Sequence, residues 1–226
     1  MKIVFFGDSL TWGGYGGSYF TYLADLLPDH TLINAGRGGH TIINLLERLE
    51  RDVLDQQPDG VFVMIGGNDA IAYSQPQTRA YYRQSQNLPD GFITPDDFEA
   101  AFRDLLTRLH LAHILVWVGL EPMEYNPATA AAMTAFNERI LSAARAMNIP
   151  VLDLMVHFPP PADLPERPDL GMGDILTIGS RTAKGWDEFD AAQTEGGYTY
   201  SFDGIHFTDE TARRAAELIA GLVRES

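Results

Sequence analysis

Cysteine is absent from the 226-residue chain. That one absence excludes disulfides, thiolate metal sites, iron–sulfur clusters and a cysteine nucleophile. Positive charge is scarce: 16 lysines and arginines stand against 31 aspartates and glutamates, a formal net charge of −15. Such a surface repels nucleic-acid phosphates and anionic lipid, so neither is expected as a partner. No apolar run approaches the ~18 residues of a membrane span, so no membrane anchor is expected. Six residues precede the first Gly-Asp pair, too few for the charged region, apolar core and cleavage site of a secretory leader. With Met1 as the native start the expectation is a cytoplasmic protein; a signal trimmed from a secreted form would leave no trace. Hydrophobic residues make up 45% and charged residues 21%, an ordinary globular composition that excludes disorder throughout.

What is present alternates. Short β-branched and aromatic runs at residues 3–6, 31–34, 61–65, 114–118 and 151–154 read as strands. They are apolar throughout, as strands buried on both faces of a helix-covered parallel sheet must be. Apolar stripes at helical spacing separate them: Ile42, Leu45, Leu46, Leu49 and Val53; Phe98, Phe102, Leu105, Leu106 and Leu109; Met133, Phe136, Ile140, Leu141 and Ala144; then Ala215, Leu218, Ile219 and Leu222. Thr208 caps the last helix, with Asp209 and Glu210 at its positive end. The expected fold is a three-layer α/β/α domain around a five-stranded parallel sheet with the flavodoxin-like order 2-1-3-4-5. Residues 70–94 and 157–202 do not fit this frame and read as long loops, inserted into a single domain spanning 1–226. The second carries five of the 13 prolines and a net charge of −5, so part of the acidity lies in one segment.

Four short blocks could carry chemistry. Gly7-Asp8-Ser9-Leu10 follows the first strand, where α/β sheets place their sites; alone, a serine there is most often a cap or turn residue. Asp203-Gly204-Ile205-His206 offers a base and a carboxylate. A serine hydroxyl needs a base to take its proton, and the base needs a carboxylate to fix its tautomer. Gly204 permits the turn that lets Asp203 reach the imidazole. Gly66-Gly67-Asn68-Asp69 and the glycine-rich loop 34–41 supply an asparagine amide and backbone N–H groups, suitable donors to an oxyanion. Each has a bland alternative as a tight turn, but the 2-1-3 order would bring Ser9, the glycine loop and Asn68 to one edge of the sheet.

Taken together, the blocks resemble those of the SGNH hydrolases, also called the GDSL family. The resemblance implies Ser9 as nucleophile, His206 as base and Asp203 as its orienting carboxylate. It implies an oxyanion hole made by the Ser9 N–H, the Asn68 amide and a glycine N–H, placed on Gly39 with Gly36 and Gly38 as alternatives. The blocks span nearly the whole chain in family order; a weaker fourth block has no clear counterpart. The implied activity is cleavage of a small-molecule carboxylic ester through an acyl-enzyme, on a small or medium acyl group or as a carbohydrate O-deacetylase, without cofactor. The alternatives are a thioesterase or lysophospholipase acting on lipid acyl groups, and a catalytically silent binding module.

Other features are weaker. Gly13-Gly14-Tyr15-Gly16-Gly17 lacks nucleotide-binding spacing and reads as a narrow, flexible entrance beside Ser9. No histidine has metal-ligand spacing, so no metal is expected. Trp12 and His40 lie next to the key blocks and are candidate substrate contacts, with packing and solvated-loop readings equally open.

Overall fold

The computed structural model describes residues 1–225. In chain order the first half comprises β1 (Lys2–Gly7), α1 (Ser9–Trp12), α2 (Tyr19–Leu26), β2 (Thr31–Gly36), α3 (Ile42–Asp52), β3 (Gly60–Met64), α4 (Gly67–Ser74) and α5 (Arg79–Ser85). The second half comprises α6 (Pro95–Leu111), β4 (Leu115–Leu120), α7 (Pro127–Ala146), β5 (Val151–Asp153), α8 (Leu154–His157), α9 (Met172–Ala183), α10 (Phe189–Gly196) and α11 (Asp209–Arg224). The sheet is parallel throughout, in the order β2-β1-β3-β4-β5 anticipated above.

Side-chain alternation explains the layers. Val4, Phe6, Val61 and Val63 pack into one core, beneath α3, α4, α6 and α7. Ile3, Phe5, Phe62 and Met64 point the other way, beneath α2 and α11. Both faces are covered, so the strands carry no polar alternation. Capping fixes the helix starts. Thr94 accepts from the Asp97 N–H ahead of Pro95, and Thr208 accepts from the Thr211 N–H with Asp209 and Glu210 in the first turn.

The two expected loops are partly helical, which corrects the reading of both. Residues 70–94 hold the end of α4 and all of α5; residues 157–202 hold α9 and α10. The second stretch hid its helices for a physical reason: α9 buries no residue fully, so its sequence carries no strong core stripe. Its prolines all fall before residue 169 and leave α9 unbroken. The eight-residue α2 also went unread; only Tyr19 and Leu23 are buried along it.

Register positions the site. Gly7 at the end of β1 lies opposite Gly36 of β2 and Met64 of β3. The segments after these three strands therefore leave the sheet along one carboxyl edge.

Candidate active site

Ser9 opens α1 just beyond β1. Asp8 caps that short helix, its Oδ1 accepting the Leu10 N–H at 3.0 Å. Ser9 is buried, and its Oγ lies 3.0 Å from His206 Nε2. His206 Nδ1 lies 2.9 Å from Asp203 Oδ2. Residues 203 and 206 meet because the chain turns sharply between them. Phe202 N–H donates to the His206 carbonyl at 3.1 Å, and Asp203 Oδ1 accepts the Ile205 and His206 N–H groups at 3.1 and 2.8 Å. Gly204 turns the corner at φ +86°, where a Cβ would stand 2.5 Å from Tyr125 Cα, so glycine is required. Burial opposes the Asp203 charge, but His206 and these hydrogen bonds outweigh it and hold the carboxyl below its usual range.

Glu124 holds the approach to this turn, and sequence reasoning did not single it out. Fully buried, its carboxylate accepts the N–H groups of Thr199, Tyr200 and Ser201 and the hydroxyls of Thr199 and Ser201, at 2.6–3.0 Å. Ser201 Oγ in turn accepts the Gly204 N–H at 2.9 Å.

A cavity of about 290 Å³ opens over the relay and is lined by Ser9, Gly39, Asn68 and His206 together. Gly39 sits at φ +79°. The Gly36 N–H is taken by Asn34 Oδ1 at 2.9 Å, and neither Gly36 nor Gly38 lines the cavity. Asn68 donates from Nδ2 to Asp8 Oδ2 at 3.0 Å and accepts at Oδ1 from the Tyr82 hydroxyl at 2.9 Å. Apart from the polar Ser180, most of the rest of the wall is apolar or aromatic, including Tyr15, Ile71, Tyr81, Ile175, Ile178 and Ile205. Tyr15 also packs edge-on against His206. None of these six was singled out as a site residue from sequence; the only signal was Tyr15 within its glycine cluster. A second cavity of about 400 Å³ lies across α9, lined by Asp203 and Arg181 but not by Ser9. Its Arg181 Nη1 approaches Asp203 Oδ2 at 3.4 Å.

Two candidate contacts lie elsewhere. Neither His40 nor Trp12 lines the cavity. His40 Nδ1 accepts from Arg48 Nε at 3.1 Å. Burial, then Arg48 and Arg37, push its pKa down to about 4. The Trp12 ring packs edge-on against Tyr15, which lines the cavity.

Three buried acids underlie the edge: Asp8, Asp69 and Glu121. Burial raises Asp8 to about 6 against the pull of the Leu10 N–H, and raises Asp69 and Glu121 well above the usual carboxylate range. Glu121 Oε2 accepts the Gly67 N–H at 2.6 Å, and after burial the neighbouring Asp8 charge adds most to the upward push on Glu121. Among the described residues, no group of three or more His, Asp or Glu is placed to hold a metal ion, and no helix is long and apolar enough to cross a membrane.

The fold and the relay define an α/β domain built around a serine, a histidine and an aspartate at the carboxyl edge of its sheet. Residues 5–214 match the GDSL-like lipase/acylhydrolase family, and the chain belongs to it. It is 32% identical over 126 residues to an acetylxylan esterase of Geobacillus stearothermophilus, covering 46% of this chain and 52% of that protein. It is 24% identical over 135 residues to an uncharacterised lipoprotein of Bacillus subtilis, covering 56% of each. The chain thus spans about half the length of the curated relatives it matches. Among solved structures, the acetyl xylan esterase AlAXEase superposes with a TM-score of 0.66 at 22% identity, over 99% of this chain and 100% of that one. A G-D-S-L lipolytic protein from Desulfitobacterium hafniense does so with 0.66 at 20% identity, over 98% of each. At those identities the superpositions speak for the fold.

Proposed function

We propose that the protein is a carboxylic ester hydrolase that acts through an acyl-enzyme on Ser9, with O-deacetylation of a saccharide as its reaction class. The observation that carries the reading is the unbroken relay, Ser9 Oγ to His206 Nε2 at 3.0 Å and His206 Nδ1 to Asp203 Oδ2 at 2.9 Å, at the floor of the cavity. The resemblance in sequence to an acetylxylan esterase supports the saccharide part.

His206 takes the hydroxyl proton as Ser9 Oγ bonds to the ester carbonyl carbon, and Asp203 stabilises the imidazolium. The carbonyl oxygen becomes an oxyanion received by the Ser9 N–H, the Gly39 N–H and Asn68 Nδ2. Collapse breaks the carbon–alkoxy bond, and His206 returns its proton to the leaving alcohol. Water then repeats the sequence on the acyl-enzyme, releasing the acid and restoring Ser9. The largely apolar wall, with no acid, lysine or arginine among the described residues that line it, supports a second reading, hydrolysis of lipid acyl esters or thioesters.

The test is a rate profile across p-nitrophenyl esters from acetyl to palmitoyl, with Ser9→Ala as control. A maximum at acetyl that vanishes in Ser9→Ala is expected. A long-chain maximum selects the lipid reading. Undiminished activity in Ser9→Ala sinks the mechanism, and inertness toward every ester returns the chain to a binding role.

A further inference from the structure

We propose that Tyr82 is a positioning residue that locks the Asn68 amide in the single orientation able to serve an oxyanion. The inference rests on the reading of Asn68 as an oxyanion donor and goes beyond it.

A primary amide is nearly symmetric in shape and opposite in chemistry at its two ends. A half-turn about Cβ–Cγ exchanges the oxygen and the NH2 group. The backbone of α4 places Asn68 at the cavity but leaves that half-turn free. Two contacts remove the freedom. Oδ1 accepts from the Tyr82 hydroxyl at 2.9 Å, and Nδ2 donates to Asp8 Oδ2 at 3.0 Å. Asp8 takes one of the two Nδ2 hydrogens and leaves the other for the cavity that Asn68 lines. In the exchanged orientation the NH2 group would sit against Tyr82 and the amide oxygen against Asp8, and the cavity would lose its donor.

Tyr82 is suited to the task. It is fully buried on α5 and packs edge-on against Tyr81. Burial pushes its phenol well above the usual value, so it retains the proton that it donates. Without that hydroxyl, Asn68 Oδ1 has lost the donor that marks it as the oxygen end, and the amide samples both orientations. Asp8 serves as the other jaw, since the same carboxyl also caps the helix of Ser9. The nucleophile and the proposed donor are thereby tied to one residue.

The test is a double-mutant cycle on p-nitrophenyl acetate. Active-site titration with a phosphonate, run to completion, counts the folded sites, so kcat is read per folded molecule even where a variant is destabilised. Tyr82→Phe keeps the ring and removes the hydroxyl; kcat should fall about 10- to 100-fold, less than the about 10²–10³ expected for Asn68→Ala, while KM changes less than about twofold. In the Asn68→Ala background, Tyr82→Phe should change kcat less than about twofold, because a lock without its amide has nothing to hold. Losses that multiply overturn the proposal. So does a wild-type kcat in Tyr82→Phe alongside an impaired Asn68→Ala. An unimpaired Asn68→Ala overturns the donor role itself and the lock with it, while a silent Ser9→Ala then still upholds the serine mechanism.

Discussion

Glu124→Ala tests whether the relay depends on a carboxylate that touches none of its members. The side chain is fully buried and satisfies three main-chain N–H groups, those of Thr199, Tyr200 and Ser201, and two hydroxyls. The hydroxyls can rotate to other acceptors; the N–H groups cannot. Two of the N–H groups, those of Tyr200 and Ser201, are buried, while Thr199 is exposed and water can take its N–H. Each buried donor left unpaired costs about 1–3 kcal/mol, so the two come to about 2–6 kcal/mol. Water entering the vacated polar space offsets part of this, which places the expected loss in the lower part of that range, about 2–4 kcal/mol. That is a large share of the about 5–15 kcal/mol holding a typical domain, and it lowers the melting temperature by about 4–16 °C for a chain of this size.

The catalytic consequence follows from connectivity. Ser201 Oγ donates to Glu124 and accepts the Gly204 N–H, and the Glu124 N–H donates to the Gly204 carbonyl at 3.0 Å. Release of Ser201 therefore loosens the corner that holds Asp203 against His206. Urea denaturation followed by circular dichroism gives the stability, and p-nitrophenyl acetate hydrolysis well below the transition gives kcat. Glu124→Gln keeps one acceptor oxygen for the Tyr200 and Ser201 N–H groups and should fall between wild type and alanine in both assays. If Glu124→Ala loses less than about 1 kcal/mol and keeps its kcat, the reasoning from unpaired donors fails.

Two further perturbations follow. Asp8 and Glu121 have pKa values raised above the carboxylate norm, so they contribute stability below the unfolded value of 3.8–4.5 and lose it as pH rises through the folded values, from about 6 for Asp8 upward. Glu121→Gln can keep an acceptor for the Gly67 N–H and removes the buried charge beside Asp8. Its melting temperature should exceed wild type near about pH 8 and match it near about pH 4, and a pH-independent difference would refute the assignment. Gly204→Ala places a Cβ 2.5 Å from Tyr125 Cα at φ +86°, whereas Gly185→Ala meets nothing within 4 Å at φ +62°. Denaturation midpoints should show a cost of about 1 kcal/mol at Gly185 and clearly more at Gly204, with kcat reduced only at Gly204; equal costs would mean that the contact with Tyr125 yields.

The strands were legible because β1 and β3, at the middle of the sheet, are buried on both faces and written as apolar runs, while the edge strands β2 and β5 are only partly buried. Ser9, Asn68, Asp203 and His206 were legible because each lies within a short block at a strand end or a sharp turn. The proposed role of Gly39 was ambiguous, since a backbone donor leaves no side chain to read; its place in the cavity wall separates it from Gly36 and Gly38, and the Gly36 N–H is in addition taken by Asn34. His40 illustrates the converse. Its position beside Gly39 says nothing about where its ring points, and Arg48, eight residues on, takes its nitrogen. Tyr82, Glu121 and Glu124 were illegible because their partners lie 14, 54 and 75 residues away or more, and no local pattern encodes a hydrogen bond of that reach. The α9 helix was missed because none of its residues is fully buried; Ile175 and Ile178 touch the core only partly and also line the cavity.

The division between legible and illegible residues is also a division of labour in the site. A strand end fixes where a residue's Cα stands, to the precision of the ladder, and a serine hydroxyl or a glycine N–H placed there needs little more. A side-chain amide and an imidazole have rotational freedom that no ladder removes, and each must be held from elements distant in sequence. Asn68 is held by Asp8 and by Tyr82 of α5; His206 is held by Asp203, whose turn hangs from Glu124 and whose Oδ2, the oxygen facing His206, Arg181 of α9 also approaches. Residues 70–94 and 157–202 thus each supply an orienting contact as well as part of the cavity wall. The buried acids beneath the edge fit the same logic. They cost stability at neutral pH, yet Asp8 is the acceptor that joins the Ser9 helix to Asn68, and an apolar residue there would free both.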